Sequence, residues 1–354
     1  NKPRGELIHY LSGNEKETSD YFIKLINEGA KKRDIDVTNP IYKNRLNKEY
    51  VTIKKLGYIN YFLVVQDYVN FAKSNSIPVG PGRGSAAGRL ISYCLGITDV
   101  NPIKYNLLFE RFLNIKRNSM PDIDIDISDV RRDEVIAYLA NKYGSTRVAR
   151  VAAFQTIAAK QALRDTARVL NTPSTIINDL SKAIPNNFKD ESSKNFSLDY
   201  AYQNIPAFKG LVDSDEQYKN IFKIAHYIEG LPRQRGLHAA GIVLNEENLL
   251  GSIPCDYITE NELVTQFEKD YLESQGFLKM DILGLSNLTI IDRCLKNIEK
   301  TLQKSIKMEE IPFEDPDIFK LINNFTTMGI FQLDTSASLN ALLNIRPKNF
   351  LEVV

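Results

Sequence analysis

Apolar and polar residues repeat along this chain with the two periods that are typical of helices and strands. An apolar residue every three to four positions predicts helices over residues 21–32, 41–56, 58–73, 89–95, 107–113, 131–143, 148–170 and 287–300. Alternation with a period of two predicts strands over residues 122–127, 238–244, 263–267 and 276–283. This mixture predicts the α+β fold class.

Breaks in these patterns predict the domain organisation. Residues 1–20 begin with a polar, glycine-containing stretch that indicates a linker or the tail of an upstream domain. Short helical pieces between residues 171 and 235 are interrupted by Pro173, Pro185, Pro206 and Pro232. We therefore expect a helical unit inserted between two parts of a mixed domain.

The strand at residues 122–127 alternates aspartate with isoleucine. Asp122, Asp124 and Asp126 lie on one face, and the isoleucines between them require burial on the other face. Like charges at this spacing repel unless a multivalent cation lies among them, and hard cations prefer carboxylate oxygens. A magnesium site is one interpretation, and a solvated face of an edge strand is the alternative.

A fourth carboxylate, Asp281, lies on the strand predicted at residues 276–283. The period of two puts it on the same face as Phe277 and Lys279. By itself this pattern also fits an ordinary strand with a surface ion pair. Combined with the acidic strand, it supplies a metal ligand from a second strand.

The segment from Gly80 to Gly88 contains four glycines, together with Arg83 and Ser85. Such a loop can fold tightly and direct backbone N–H groups at an anion, although many glycine-rich loops are only tight turns. A phosphate-binding loop paired with several carboxylates is the arrangement that two-metal phosphoryl transfer needs.

The bulk composition excludes several classes of protein. Hydrophobic residues make up 43% and charged residues 25% of the 354 residues, as in a folded globular protein. The apolar runs are much shorter than the ~20 residues that span a bilayer. The three cysteines are far apart, which argues against a zinc site or a disulfide framework and favours a reducing cytosol. The start and end of the sequence suggest a fragment.

A net charge of +1 gives no overall attraction to a polyanion, so nucleic-acid binding would depend on local clusters. Lys160, Arg164 and Arg168 follow each other at intervals of four residues and would share one helix face. They are candidate contacts to a DNA backbone, or else a solvated helix face. Arg233 and Arg235 are weaker candidates. His238 lies among small apolar residues, which favours a structural role over general-base catalysis.

Several ordered motifs resemble one known family. They are Gly80-Pro-Gly-Arg-Gly-Ser-Ala-Ala-Gly88, Phe109-Glu-Arg-Phe-Leu-Asn114, Met120-Pro-Asp-Ile-Asp-Ile-Asp126, His238-Ala-Ala-Gly241, Leu278-Lys-Met-Asp-Ile-Leu-Gly-Leu285 and Phe331-Gln-Leu333. Together they are similar to the bacterial DNA polymerase III alpha subunit, and the loop is closer to the DnaE type than to the PolC type. Asp334-Thr-Ser-Ala-Ser-Leu339 departs from the Glu-Ser-x-Gly-Met that is common in the family.

The resemblance implies a polymerase-β-like nucleotidyltransferase palm with a mixed sheet and an inserted all-helical thumb. The implied boundaries are a tail at residues 1–20, palm at 21–148 and 236–286, thumb at 149–235, and the start of the fingers from 287 to 354. It implies that Asp122, Asp124 and Asp281 bind two Mg²⁺ ions, with Mn²⁺ as a substitute, and leaves Asp126 as an additional candidate. Nucleotide contacts would come from Arg83, Gly84, Ser85, Arg111 and Lys279.

The implied activity is DNA-directed DNA synthesis from dNTPs on primer–template DNA, in the cytoplasm at the nucleoid. A sliding clamp and other replisome subunits would bind through regions that this chain lacks, and no membrane partner is expected. Two alternatives stay open. A metal-dependent phosphodiesterase or nuclease would share the carboxylates without needing the loop. A non-catalytic nucleic-acid scaffold would keep the basic stripe but tolerate Asp124→Ala without loss of function.

Overall fold

The computed structural model describes residues 14–109, 123–185, 197–260, 262–277 and 279–353. Its strands are β1 (Asp124–Ser128), β2 (Val148–Thr156), β3 (Pro232–Leu244), β4 (Cys255–Thr259), β5 (Glu262–Thr265) and β6 (Lys279–Leu285). They form one sheet in the order β1-β6-β3-β2-β5-β4. β1 is parallel to β6, and β2 is parallel to β5, whereas β3 is antiparallel to β6 and β4 is antiparallel to β5. The sheet is therefore mixed, as expected.

The described residues also form helices. They are α1 (Glu15–Lys32), α2 (Pro40–Lys55), α3 (Ile59–Ser74), α4 (Gly84–Ala87), α5 (Leu90–Cys94), α6 (Arg132–Tyr143), α7 (Ala159–Val169), α8 (Ser174–Ala183), α9 (Leu198–Asn204), α10 (Pro206–Ser214), α11 (Glu216–Ile228), α12 (Leu249–Ser252), α13 (Lys269–Ser274), α14 (Ser286–Leu302), α15 (Pro316–Asn323), α16 (Ser336–Ile345) and α17 (Phe350–Val353). In the described part of the chain, no helix is long and apolar enough to cross a bilayer.

The chain divides into two compact units. The first comprises Asn1–Val151 and His238–Val354, and the second comprises Ala152–Leu237. The largest core of the first unit packs α1, α3, α5 and α6 against the apolar face of β1. Helix α3 is buried along most of its length, as its apolar pattern predicts, because it lies at the centre of this core.

The second unit has a separate core. Its buried side chains come from α7 to α11 and include Leu163, Leu180, Phe208 and Ile221. Because the unit also contains the ends of β2 and β3, the prediction of an all-helical insertion was wrong in this respect.

Three further sequence predictions need correction. Residues 148–156 form strand β2 instead of the start of an alanine-rich helix, because this segment pairs with β5 inside the sheet. Residues 107–109 lie outside any helix, and the remainder of the helix predicted at 107–113 falls outside the described residues. Helix α1 begins at Glu15, capped by the Asn14 side chain, so the predicted tail at residues 1–20 is helical from that point.

Candidate functional site

Strand β1 presents its aspartates and its isoleucines on opposite faces. Ile123, Ile125 and Ile127 are fully or almost fully buried in the core of the first unit. Asp124 and Asp126 therefore lie on the other face, as the period of two predicts. The apolar face fixes the register of the strand, because a shift by one residue would exchange the two faces.

Strand β6 brings the third aspartate beside the first. In the parallel pair, Asp124 is directly opposite Asp281. Residues paired in this way point to the same side of a sheet, so the two carboxylates share a face. On the other edge of β6, Asp281 pairs with Gly241 of β3, where little space remains for a larger residue beside His238 and Val151.

Arg83 connects the glycine-rich segment to both aspartates of β1. Its Nε donates to Asp126 Oδ2 at 2.9 Å, and its Nη1 donates to Asp124 Oδ2 at 3.2 Å. The segment itself is held against the strand by a hydrogen bond from Gly80 N to Asp126 O at 2.8 Å. A Cβ at Gly80 would lie 3.1 Å from the Asp126 Cβ, so this close approach favours glycine.

Lys279 neutralises one oxygen of Asp281. Its Nζ lies 2.6 Å from Asp281 Oδ2, and both side chains are buried. The other oxygen, Asp281 Oδ1, is buried and has no hydrogen-bond partner among the described residues. Burying a carboxylate oxygen without a hydrogen-bond donor costs free energy. A hard cation bound to this oxygen would offset that cost.

The structure describes only some of the predicted metal ligands. Asp124 and Asp281 are adjacent, and Asp126 is bound to Arg83. Asp122 lies outside the described residues, as does Arg111. Among the residues that the structure describes, no group of three or more histidine, cysteine or acidic side chains is arranged to hold a metal ion. The Asp124–Asp281 pair with its unsatisfied oxygen nevertheless fits the chemistry of a hard cation.

The glycine-rich segment adopts a tight conformation before α5. Gly82 has φ 101°, and a Cβ there would lie 2.6 Å from the Thr98 Cγ2. Gly84 has φ 52° and starts the short helix α4, in which Ser85 is half-buried. Both backbone conformations favour glycine, as the sequence pattern indicates.

Three residues near the candidate site had not been recognised from the sequence. The Glu49 carboxylate accepts hydrogen bonds from the backbone N–H groups of Leu90 and Ile91, and Arg45 binds Glu49. A third residue, Tyr68, is fully buried; burial raises the pKa of its phenol, and the charges of Asp281 and Asp124 raise it further. Their positions in apolar helix patterns gave no signal, since only tertiary structure brings them to the site.

His238 has a structural role within β3. Its Nδ1 accepts hydrogen bonds from Gly241 N at 2.8 Å and Ala240 N at 3.2 Å. Burial lowers the pKa of His238, and the nearby Lys279 ammonium lowers it further. The imidazole is therefore held neutral with Nδ1 as an acceptor.

The predicted basic stripe lies on α7 in the second unit. Lys160 is half-buried, whereas Arg164 and Arg168 are exposed. Arg164 donates to Ser181 Oγ at 3.0 Å, and Arg168 forms an ion pair with Asp165 at 3.0 Å. Spacing of four residues keeps all three side chains on one side of the helix.

Comparison with known proteins identifies the family of this chain. A family model described as the bacterial DNA polymerase III alpha NTPase domain matches residues 20–284, which contain the sheet and the aspartate pair. A second model, described as the bacterial DNA polymerase III alpha subunit finger domain, matches residues 287–354. The chain belongs to the bacterial DNA polymerase III alpha subunit family, and the resemblance seen in its motifs is confirmed.

Curated relatives agree with this assignment. The DNA polymerase III subunit alpha of Staphylococcus epidermidis is 39% identical over 348 residues, which cover 98% of this chain and 32% of the relative. The protein of the same name from Halalkalibacterium halodurans is 38% identical over 353 residues, covering 100% of this chain and 31% of the relative. The chain thus spans about a third of the length of these relatives.

Proposed function

We propose that this chain is part of the catalytic core of a DNA-directed DNA polymerase, which transfers nucleotidyl groups from dNTPs to a primer 3′-hydroxyl. Residues 21–148 and 236–286 would form a polymerase-β-like palm, residues 149–235 the thumb and residues 287–354 the start of the fingers. The observation that carries the proposal is the parallel pairing of Asp124 with Asp281, next to a glycine-rich segment that brings Arg83 to the same face.

Asp124 and Asp281, together with Asp122, would hold two Mg²⁺ ions, or Mn²⁺ in their place. The unsatisfied Oδ1 of Asp281 supports this assignment. When bound, such ions lower the pKa of the attacking hydroxyl and stabilise the charge of the leaving pyrophosphate. Asp126 would serve mainly to anchor Arg83, to which it is bound through two nitrogens.

The triphosphate of the incoming nucleotide would bind at the glycine-rich segment. Arg83 presents a fork of donors that suits phosphate oxygens, and Ser85 adds a hydroxyl. Gly84 allows close approach of the backbone, while Lys279 supplies a second positive charge beside Asp281. Arg111 would add a third cation. Positive charge from these side chains orients the triphosphate for in-line attack.

The experiment that tests the activity compares Asp124→Asn with Asp317→Asn in the full-length protein. Asp317 is an exposed aspartate of α15 that pairs only with nearby Lys320 among its described neighbours. Templated primer extension should fall by about a hundredfold or more in Asp124→Asn, because several kcal/mol of transition-state stabilisation are lost. Asp317→Asn should extend the primer normally.

Other results would identify the alternatives. DNA shortening without pyrophosphate release in the wild-type protein would indicate a nuclease. Undiminished extension by Asp124→Asn would contradict the proposed site, and DNA binding without extension by the wild-type protein would indicate a scaffold.

Lys160, Arg164 and Arg168 would contact the phosphate backbone of primer–template DNA. Replacing all three by glutamine should weaken duplex binding regardless of sequence, and should reduce the slope of log affinity against log salt concentration by about two to three units. An unchanged slope would contradict a role in DNA binding. The charged neighbours Lys219 and Lys223 of α11 provide matched control substitutions on another helix of the same unit.

Relatives that carry the name DNA polymerase III subunit alpha support a proposal for the cellular setting. We propose action in the cytoplasm at the nucleoid during DNA replication. The sliding clamp and other replisome subunits would bind regions of the full-length protein beyond the matched third. Pull-down with the full-length protein and with this chain alone would separate these contributions.

A further inference from the structure

Helix α2 contains an ion pair between the partly buried Arg45 and the fully buried Glu49, and neither residue is among the proposed catalytic groups. Arg45 Nε lies 2.6 Å from Glu49 Oε1, and the Glu49 side chain has no exposed surface. Burial raises the pKa of Glu49, against the opposing effects of its hydrogen-bond donors. Because a buried charged pair is costly to desolvate, good hydrogen bonds on both partners are needed to keep it.

Glu49 binds the start of α5. Its Oε1 accepts a hydrogen bond from Leu90 N at 3.0 Å, and its Oε2 accepts one from Ile91 N at 2.9 Å. Helix α5 begins at Leu90, directly after the glycine-rich segment. The carboxylate therefore satisfies N–H groups at the start of this helix, which would otherwise be available to an anion. Phosphate binding must then come from residues earlier in the segment, such as Arg83 and Ser85.

Arg45 binds the end of the glycine-rich segment and the segment that precedes Phe109. Its Nη2 donates to Gly88 O at 2.8 Å and to Leu107 O at 3.0 Å. Its guanidinium carbon also lies 5.7 Å from the centre of the Phe109 ring. Gly88 ends the glycine-rich segment, and Phe109 begins the motif that contains Arg111. One guanidinium thus joins the end of the glycine-rich segment to Leu107 and Phe109.

We infer that Arg45 and Glu49 are positioning residues that hold the glycine-rich segment in the arrangement that binds a nucleoside triphosphate. This inference rests on the proposed function. Neither side chain contacts the nucleotide. They act by holding the backbone of Gly88, Leu90 and Leu107 in place. We therefore expect their replacement to weaken nucleotide binding more than it slows the chemical step.

The test measures single-nucleotide incorporation by full-length Arg45→Lys at saturating primer–template. Lysine keeps the positive charge beside Glu49 but cannot bridge the carboxylate and two carbonyls with a rigid fork. The KM for dNTP should rise about tenfold while kcat changes by less than about twofold. Glu49→Gln should give the same split, and Arg45→Met should give a larger rise in KM.

Arg131→Lys is the matched control. Arg131, the N-cap residue of α6, also pairs with a carboxylate three residues further on, Glu134, and donates to two backbone carbonyls, those of Asn75 and Ser76. It lies outside the proposed nucleotide site. Arg131→Lys should lose less thermal stability than Arg45→Lys, because Glu134 is exposed and Glu49 is fully buried, and only Arg45→Lys should show the higher KM.

Three results would overturn the inference: an unchanged KM in Arg45→Lys, a fall in kcat without a rise in KM, or an equal rise in KM in Arg131→Lys. The last would mean that general loosening of the fold accounts for the effect. Failure of the proposed function itself has a different signature, because the wild-type full-length protein would then show no templated incorporation at all.

Discussion

At the scale of single residues, Arg83 sets the charge balance of the acidic strand. It binds Asp124 and Asp126 at once, and Lys279 binds Asp281. Two positive charges thus face three negative ones on the same side of the sheet. In the proposed catalytic state, Arg83 would exchange at least one carboxylate for a phosphate, so the cation and the metal compete for the same oxygens.

Replacing Arg83 with glutamine should therefore strengthen metal binding in the absence of nucleotide. Removing the guanidinium takes away a positive charge beside Asp124 and Asp126, and we expect the dissociation constant for Mn²⁺ to fall about tenfold. Titration of free Mn²⁺ by electron paramagnetic resonance measures this directly. Arg131→Gln, which removes an arginine bound to Glu134, should leave the affinity unchanged. Weaker Mn²⁺ binding by Arg83→Gln would contradict competition.

His238 should make stability depend on pH near neutrality. Burial and Lys279 lower its pKa in the folded protein, so the unfolded chain binds a proton more readily. The contribution of His238 to stability is complete above the pKa of the unfolded chain, about 6.5. It is lost as the pH falls towards the lower pKa of the folded protein.

Chemical denaturation between about pH 7.5 and about pH 5.5 tests this prediction. The free energy of unfolding should decrease more over this range in the wild-type protein than in His238→Asn, whose side-chain oxygen can still accept the two backbone hydrogen bonds. Equal slopes for the two proteins would show that His238 does not contribute.

Part of the candidate site was predictable from the sequence, but its supporting contacts were not. The alternation around Asp124 correctly predicted an acidic face above buried isoleucines, since a local period of two determines it. The in-register pairing with Asp281, the bridging by Arg83 and the buried Glu49 join residues far apart in the chain. No local pattern encodes such contacts, because they arise only when elements pack.

At the scale of elements, one glycine controls the packing of α1 against α5. A Cβ at Gly29 would overlap the backbone carbonyl oxygen of Cys94. Because a backbone atom cannot move aside as a flexible side chain can, the two helices approach closely only when residue 29 is glycine.

Gly29→Ala should therefore destabilise the first unit by about 1–3 kcal/mol from overpacking, even after the gain of about 1 kcal/mol in helix propensity. Thermal or chemical unfolding measures the change. Gly210→Ala is the matched control, since Gly210 lies inside α10 and an added Cβ would have nothing within 4 Å. That variant should gain up to about 1 kcal/mol in the stability of the second unit. Stabilisation by both substitutions would contradict the close contact.

The error at β2 illustrates why elements were harder to assign than the fold class. Its alanines favour a helix by intrinsic propensity, yet Ala149, Val151 and Ala152 are buried within the sheet. Pairing with β5 overrides the local preference. By contrast, α3 and α6 were predicted almost to the residue, because their apolar spacing and their packing agree.

At the scale of the whole molecule, each compact unit has its own buried core. A peptide comprising residues 152–237 should retain helical circular dichroism and unfold cooperatively, because its core residues contact one another within the unit. Phe208→Ala, which removes a fully buried ring, should cost about 3–5 kcal/mol and abolish the cooperative transition. A non-cooperative wild-type peptide would show that this core depends on the remainder of the chain.

The α+β class and the family were predictable from sequence at this scale. Several motifs with compatible spacing carried that assignment, and the two family models cover the chain from residue 20 to its last residues. The separation into palm, thumb and fingers stays a prediction, as do the roles of Asp122 and Arg111, which lie outside the described residues.

Strand β6 leads directly into helix α14 where the two matched regions meet. Strand β6, which carries Asp281, ends at Leu285, and α14 begins at the next residue. Thr289 of α14 is also hydrogen-bonded to Ser128 and Asp129 at the end of β1. Because no linker separates β6 from α14, a tilt of α14 would also move the ends of both strands that carry the aspartates. The start of the finger-matched region is therefore attached directly to the two strands that carry Asp124 and Asp281.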